Sequence, residues 1–251
     1  MKSIVETIYD AQKNACEIPM VTETHGAFTI AEAYRLQAEL VEMYVAQGSR
    51  IIGYKMGLTS REKMEQMGVD APVHGVLFEE MLLADGRVDF ASLIHPKAEP
   101  EVAVRFSRDV PQGASEEELC ACIGEIAPAI DIIDSRYKNF KFTMEDVVAD
   151  NCSSAQFAVG SWLPFDPSAT DIAAIHASLE INGEARSAGI SSAVLGSPLT
   201  ALLELQRFLE ADGSTLKKNQ IVLTGAITAA SLFVAGDVVT NRTDIGDVAI
   251  C

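Results

Sequence analysis

Residues 97–106 read KAEPEVAVRF, and bulky apolar side chains recur at every second position in the later part of this segment. Val102, Val104 and Phe106 share one parity, whereas Glu99 and Glu101 share the other. Because successive side chains of a β-strand point to opposite faces, this period of two predicts a strand with one buried face. The same alternation predicts that Glu99 and Glu101 project side by side from the opposite face.

Strand-like runs dominate the chain around this segment. Residues 128–134 read PAIDIID, an apolar strand interrupted by Asp131 and Asp134. The pair Asn182-Gly183 predicts a hairpin, because both central residues of a type I′ turn need positive φ. Further strand-like runs are RIIGYKM at 50–56, AIHASLEI at 174–181, EARSAGI at 184–190, QIVLTG at 220–225, SLFVAG at 231–236 and DVVTNRT at 237–243.

Helices interrupt these strands, and their starts carry recognisable capping signals. The predicted starts are Thr29 with Glu32 for residues 29–47, Ser115 with Glu118, Ser197 before Pro198, and Thr59 or Ser60 for a short helix ending at Gly68. The helices are scattered and do not alternate with strands as in βαβ folds. We therefore predict an α+β fold, with a small helical N-terminal part (residues 1–75) and a mixed, largely antiparallel β-rich body (residues 76–251).

The composition indicates a globular protein and excludes some functions. Hydrophobic residues make up 48% of the 251 residues, charged residues 22%, and the net charge is −17. A nucleic-acid-binding protein needs a basic stripe to neutralise phosphates, and the sequence has none. An anionic substrate would be repelled by this surface, so we expect a bound cation or a local basic pocket to hold it.

The sequence also predicts where the protein works. The N-terminal segment lacks the apolar core of a signal peptide, and the longest uncharged run, residues 219–236, is too short and too polar to cross a bilayer. The five cysteines contain no C-x-x-C pair, which argues against a disulfide framework or a zinc site. We expect a cytoplasmic protein without membrane association.

Carboxylates are the first candidates for a functional site. From their spacing alone, Glu99 and Glu101 are better explained as two solvated surface acids at a strand end. Asp131 is harder to explain in this way, because a carboxylate inside an apolar strand is costly unless it is paired or coordinated. Three carboxylates without histidine or cysteine would suit a hard cation such as Mg²⁺ or Mn²⁺. Asp134, at the strand end, is better explained by a salt bridge or a turn cap.

Two other segments leave alternatives open. Lys55 lies in the apolar strand before Gly57, where its ammonium either reaches solvent or binds a substrate carboxylate. The stretch LTGAITAA, residues 223–230, could bring backbone N–H groups close to a carboxylate, or could be an ordinary turn between buried strands.

Five ordered blocks resemble a known family. They are GYKMGLTSREKMEQMGVDAPVHGVLF, IHPKAEPEVAV, DSRYKNFKF, VVADNCSSAQFAVG and LTGAITAA. Together they resemble the 2-hydroxypentadienoate hydratase/4-oxalocrotonate decarboxylase family of aromatic meta-cleavage pathways, within the fumarylacetoacetate hydrolase superfamily. The resemblance runs from about residue 28 to the C-terminus. It implies a roll-like β-rich fold, a divalent metal (Mg²⁺ or Mn²⁺) and no organic cofactor.

The resemblance also implies roles for particular residues. Metal ligands would be Glu99, Glu101 and Asp131, and Lys55 would be the catalytic lysine. Substrate-binding residues would be Leu58 and Thr228. Apart from the resemblance, the basic residues Arg136, Lys138 and Lys141 either bind a second substrate carboxylate, for which Arg136 and Lys141 are the main candidates, or belong to a solvated loop. The chain departs from the family pattern at Asp131, where many relatives carry Glu, and at Ser197, where many carry His.

The expected reaction is decarboxylation of 2-oxo-3-hexenedioate to 2-hydroxypenta-2,4-dienoate. Alternatives are a hydratase acting on that dienoate, a C–C bond hydrolase of the same superfamily, and a silent subunit that stabilises a partner. The expected partners are a small anionic 2-oxo acid, further copies of the chain in a homo-oligomer, and a companion hydratase.

Overall fold

A computed structural model describes residues 2–60, 64 and 71–251. Its α-helices are α1 (Ile4–Lys13), α2 (Val21–His25), α3 (Ile30–Ala46), α4 (Glu116–Cys120), α5 (Met144–Ala149) and α6 (Pro198–Ala211). Its strands are β1 (Ile51–Gly57), β2 (Val73–Phe78), β3 (Lys97–Phe106), β4 (Ile123–Ile133), β5 (Ser154–Val159), β6 (Leu163–Pro164), β7 (His176–Ile181), β8 (Glu184–Ile190), β9 (Ile221–Leu223), β10 (Ser231–Leu232), β11 (Val239–Thr243) and β12 (Gly246–Ile250).

The strands form two sheets. The larger sheet has the order β2-β1-β9-β3-β4-β5, with β10 beside β3 and β6 beside β4. Its pairs are antiparallel apart from β1 with β9, which is parallel. The smaller sheet has the order β12-β11-β7-β8 and is antiparallel. The predicted α+β class with a mixed, largely antiparallel body is confirmed.

The larger sheet curls into a roll. Strands β2 and β5, which end the path of the sheet, contact each other. One apolar cluster contains buried side chains from β2, β3, β4, β5 and β9 and lies on the inner face of the roll. On the outer face of β3, Val102, Val104 and Phe106 pack against α6. Ile130 and Ile132 of β4 pack against the smaller sheet. The alternation predicted for residues 97–106 is confirmed along β3.

The N-terminal helices form a layer beside the roll. Side chains of α1 and α3 share an apolar cluster with α5 and with Val73 of β2. Gln37 of α3 fixes this contact, because its buried amide donates to the backbone oxygens of His74 (3.0 Å) and Val148 (2.9 Å). Strand β2 spans the predicted boundary at residue 75, and β1 already belongs to the large sheet.

Local signals agree with the structure at several points. Thr29, Ser115 and Ser197 cap α3, α4 and α6, as predicted. Asn182 and Gly183 both have positive φ (55° and 79°) between β7 and β8. The helix predicted to end at Gly68 lies outside the described residues. Within the part of the chain that is described, no helix has the length and apolarity needed to span a membrane.

Candidate active site

Three carboxylates meet on the inner face of the roll. Glu99 of β3 lies directly opposite Asp131 of β4, and Glu101 lies two residues further along β3 on the same face. Oxygen atoms of the three residues all lie within 4.8 Å of one another. Glu101 and Asp131 are 0% and 1% exposed. The two strands therefore concentrate negative charge in a place that water barely reaches.

Lys55 is the cation of this cluster. Its ammonium forms an ion pair with Asp131, and the lysine is only 2% exposed. Strand β1 is separated from β4 by β9 and β3 in the order of the sheet, so the curl of the roll brings the two side chains together. The sequence left open whether the Lys55 ammonium reaches solvent. The buried ion pair with Asp131 shows that it does not.

Glu101 is held by the glycine-containing stretch. The backbone N–H of Gly225 donates to Glu101 Oε2 at 2.7 Å. Gly225 has φ +121°, and a Cβ at this position would lie 2.3 Å from Thr59 Oγ1. Glycine therefore satisfies both the backbone conformation and the close approach. The predicted approach of a backbone N–H to a carboxylate occurs here, and the carboxylate is that of Glu101.

Burial and like charges shift the pKa values of the cluster. Burial, followed by the charges of Asp131 and Glu99, raises the pKa of Glu101 well above its usual range. Burial also raises the pKa of Asp131, although the charge of Lys55 opposes this shift. For Lys55, burial lowers the pKa, but the charges of Asp131, Glu99 and Glu101 together outweigh it and raise the pKa. The single charge of Lys55 is smaller than the combined charge of the three carboxylates.

The donor set fits a divalent cation. Among the described residues, Glu101 Oε1 and Asp131 Oδ1 are buried without a hydrogen-bond partner. Unpartnered buried carboxylate oxygens are costly, and a hard cation coordinated by oxygen removes that cost. Three carboxylates leave coordination positions for a ligand. Asp131, one methylene shorter than glutamate, reaches the cluster because it lies directly opposite Glu99.

A cavity of about 490 Å³ opens beside these residues. Lys55, Glu99 and Leu58 contribute to its lining, together with apolar side chains from several parts of the chain. The apolar residues that line it are Met56, Val73, Ile133, Phe140, Phe142, Val147 and Ala230. A pocket with mostly apolar walls and a few convergent charges is typical of a small-molecule site.

Sequence reasoning missed two polar residues of this cavity, Lys97 and Ser153. Lys97 shares the parity of Glu99 and Glu101 along β3, so the alternation in KAEPEVAVRF could have identified it. Ser153 follows Asn151 and Cys152, and all three have positive φ (48°, 53° and 55°). Such a run of non-glycine residues is rare, and the sequence contains no signal for it.

The predicted substrate-binding residues separate in the structure. Leu58 lines the cavity, whereas Thr228 and Lys141 do not belong to its described lining. The Thr228 hydroxyl lies 2.7 Å from that of Ser187, and the side chain of Lys141 is exposed.

Arg136 requires a correction. It is 3% exposed, and its guanidinium donates to Asp150 Oδ1 (2.5 Å) and to the backbone oxygens of Asp134 (2.6 Å) and Ser154 (3.0 Å). These contacts stabilise the turn after β4, so Arg136 is not a substrate-facing residue of this cavity. Asp134 connects this turn to the segment before β3, because its carboxylate accepts the backbone N–H groups of residues 94 and 95 at 2.8 Å each.

Comparison with known proteins identifies the family. The family model described as fumarylacetoacetate (FAA) hydrolase C-terminal matches residues 54–250, a range that contains every residue of the carboxylate–lysine cluster. The chain belongs to the fumarylacetoacetate hydrolase family. Membership agrees with the curled, largely antiparallel roll described above.

Individual relatives cover nearly the whole chain. A 4-oxalocrotonate decarboxylase from Pseudomonas putida is 37% identical over 96% of this chain and 91% of its own length. A 2-keto-4-pentenoate hydratase from Paraburkholderia xenovorans strain LB400 is 31% identical over 93% of this chain and 87% of its own. The solved structure of 4-oxalocrotonate decarboxylase from Pseudomonas putida G7, complexed with magnesium and adipate, has a TM-score of 0.93 and 37% identity. It covers 98% of this chain and 94% of the solved chain.

Proposed function

We propose that this protein is a divalent-metal-dependent decarboxylase that converts 2-oxo-3-hexenedioate (4-oxalocrotonate) to 2-hydroxypenta-2,4-dienoate in aromatic meta-cleavage catabolism. The observation that carries this proposal is the buried cluster of Glu99, Glu101 and Asp131 beside Lys55. The similarity to decarboxylases over nearly the full chain supports the choice of reaction.

In this reaction the C5–C6 bond of the diacid breaks and CO₂ leaves. The bonding electron pair moves through the C3–C4 double bond to the C2 oxygen, which becomes the 2-hydroxyl of the product after taking up one proton. A divalent cation (Mg²⁺ or Mn²⁺) held by the three carboxylates would supply Lewis-acid stabilisation of the negative charge, a contribution of several kcal/mol in general.

Lys55 has two roles in this proposal. Its ammonium keeps a positive charge at the wall of the cavity, where charge develops on the substrate, and it can donate the proton that the product oxygen needs. The carboxylate of Asp131 orients the ammonium through their ion pair. Leu58, Phe140 and Phe142 give the same cavity apolar walls, and a bound substrate that displaces water between them would strengthen these electrostatic interactions.

The proposal is tested by offering the purified protein, with Mg²⁺ or Mn²⁺, both the diacid and the dienoate, and measuring CO₂ release and hydration separately. Lys55→Met should lower kcat for CO₂ release by roughly 10²-fold or more. Lys55→Arg should not restore it, because a planar guanidinium does not replace a compact ammonium. Lys218→Met, at an exposed lysine outside the described lining of the cavity, is the matched control. Near-normal turnover by Lys55→Met would contradict the role of Lys55.

A hydratase is the second candidate, and the 31% identity to a 2-keto-4-pentenoate hydratase favours it. Hydration of the dienoate without CO₂ release from the diacid would establish this candidate in place of the decarboxylase. We further propose a cytoplasmic homo-oligomer that works beside a companion hydratase. Such a hydratase would consume the dienoate as it forms.

A further inference from the structure

Lys97 lies one step along the sheet from the carboxylate cluster. It precedes Glu99 by two residues on β3, so both side chains lie on the inner face of the roll. Its partner across the sheet is Ile133, just as Asp131 is the partner of Glu99. A two-residue step along a strand spans about 6.6–6.8 Å. An extended six-carbon chain with a carboxylate at each end covers a similar distance.

The charge of Lys97 is available to a ligand. Its ammonium lies 3.9 Å from the centroid of the Phe140 ring, and in the described part of the chain no carboxylate forms an ion pair with it. An aromatic face holds a cation in place without cancelling its charge. Both Lys97 and Phe140 line the cavity that contains Lys55 and Glu99.

A second donor lies close to this position. Ser154 is the partner of Ile133 on β5, so Ser153 lies beside the row formed by Lys97 and Ile133. Ser153 is 3% exposed and lines the cavity, and its hydroxyl has no hydrogen-bond partner among the described residues. A buried hydroxyl without a partner is costly, and a bound ligand oxygen would remove that cost.

We infer that Lys97, assisted by Ser153, binds the distal carboxylate of the diacid and so determines selectivity for diacids over monoacids. The inference rests on the proposed function, because it assigns the carboxylate cluster to the 2-oxo end of the substrate. It replaces Arg136 and Lys141 as the residues that recognise the second carboxylate. Arg136 donates to protein acceptors, and Lys141 is exposed outside the described lining of the cavity.

Lys97 should lower KM for the diacid without raising kcat. The distal carboxylate loses its negative charge as CO₂ departs, so a cation beside it stabilises the ground state more than the transition state. Interactions of this kind lower KM and do not raise kcat. Lys97 is therefore a specificity residue, and its removal should raise KM for the diacid and leave kcat unchanged or higher.

The experiment measures binding, so its outcome does not depend on turnover. The probes are 2-oxoadipate and 2-oxohexanoate, which differ only in the distal carboxylate and lack the conjugated double bond through which decarboxylation proceeds. Calorimetry on the Mg²⁺-loaded protein should show that Lys97→Met weakens 2-oxoadipate binding by roughly 10- to 100-fold, the scale of a lost charge-assisted hydrogen bond. Binding of 2-oxohexanoate should change less than about threefold. Ser153→Ala should produce a smaller loss with the same selectivity.

Lys141→Met is the matched control and should leave both affinities unchanged. Equal losses for the two probes in Lys97→Met, or a selective loss in Lys141→Met, would overturn the inference. A lower kcat with unchanged KM in Lys97→Met would overturn it too. If the wild-type protein prefers 2-oxoadipate through Lys97 but releases no CO₂ from the unsaturated diacid, the proposed reaction fails and the carboxylate subsite stands.

Discussion

At the scale of single residues, buried charges dominate the site. Each carboxylate removed from water costs several kcal/mol unless a partner compensates it. Lys55 compensates Asp131 directly, and the Gly225 N–H compensates one oxygen of Glu101. The remaining buried oxygens of Glu101 and Asp131 have no such compensation among the described residues. The chain therefore retains buried carboxylate oxygens that cost stability, and a bound cation would remove that cost.

His74 provides a test of burial at the same scale. Its ring stacks on Tyr34 at 4.8 Å, contacts Phe208 at 5.0 Å, and its Nδ1 has no partner among the described residues. Burial lowers the pKa of His74 from 6.5 to about 4. The unfolded chain therefore binds a proton between pH 6.5 and 4 that the folded protein does not bind. Stability from neutral His74 is fully present above pH 6.5 and is lost as the pH falls toward 4.

The expected loss over this window is on the order of 3 kcal/mol, because each pKa unit corresponds to about 1.4 kcal/mol. Denaturant unfolding of the wild type and of His74→Gln at several pH values should show it as a steeper fall in the wild type. The comparison between the two proteins removes contributions from other groups, such as Asp150, whose pKa burial raises to about 6. Parallel curves would contradict the prediction.

At the scale of secondary-structure elements, the sequence predicts local features of single strands but not the contacts between strands that are distant in the sheet. The alternation in residues 97–106 predicted that Glu99 and Glu101 share one face of their strand. The apolar run at residues 128–134 predicted that Asp131 is a buried carboxylate that needs a partner. The pairing of Glu99 with Asp131 depends on the register between β3 and β4, and the contact of Lys55 with Asp131 depends on the curl of the whole sheet. No periodicity within a single strand encodes these two contacts. In the sequence, the resemblance to a known family was what brought Lys55 together with the three carboxylates.

The parallel pair of β1 and β9 joins the strand that carries Lys55 to the rest of the large sheet. Gly53 of β1 lies opposite Ile221, and a Cβ on Gly53 would lie 1.8 Å from the Ile221 backbone oxygen. Gly53→Ala should therefore lower the free energy of unfolding by roughly 1–3 kcal/mol or more, because backbone atoms must move apart. The measurement is urea-induced unfolding of Gly53→Ala and the wild type. The transition midpoint should fall in the variant, with the slope of the free energy against urea concentration unchanged.

Gly57→Ala in the same strand is the matched control for this prediction. Its added Cβ would meet a methyl group of Val73 at 3.2 Å, which can yield more easily than a backbone oxygen. We expect a change of roughly 1 kcal/mol or less for this variant. Similar losses in the two variants would show that the approach of β1 to β9 does not depend on Gly53.

At the scale of the whole molecule, Asn241 joins the two sheets next to the carboxylate cluster. The side chain of Asn241 in β11 of the smaller sheet donates to the backbone oxygens of Glu101 (3.2 Å) and Ala129 (2.8 Å) of the larger sheet. Glu101 therefore lies where β3, β4 and the second sheet meet. A cation bound here should stabilise the global fold, because separating either sheet would disturb its ligands.

Because a cation at this position would bind only the folded protein, added metal should raise the melting temperature. A cation that binds the folded protein stabilises it by about 2.7 kcal/mol at 100 times its Kd. The melting temperature of EDTA-treated protein should rise saturably with Mn²⁺ or Mg²⁺, and Glu39→Gln, at an exposed helix position, should respond equally. Glu101→Gln should show little or no rise, because it removes a buried ligand.

Without metal this variant should be at least as stable as the wild type, since one of three like charges is gone. A full metal-dependent rise in Glu101→Gln would exclude Glu101 as a ligand, and a metal-free variant less stable than the wild type would show that the glutamate stabilises the fold by other contacts.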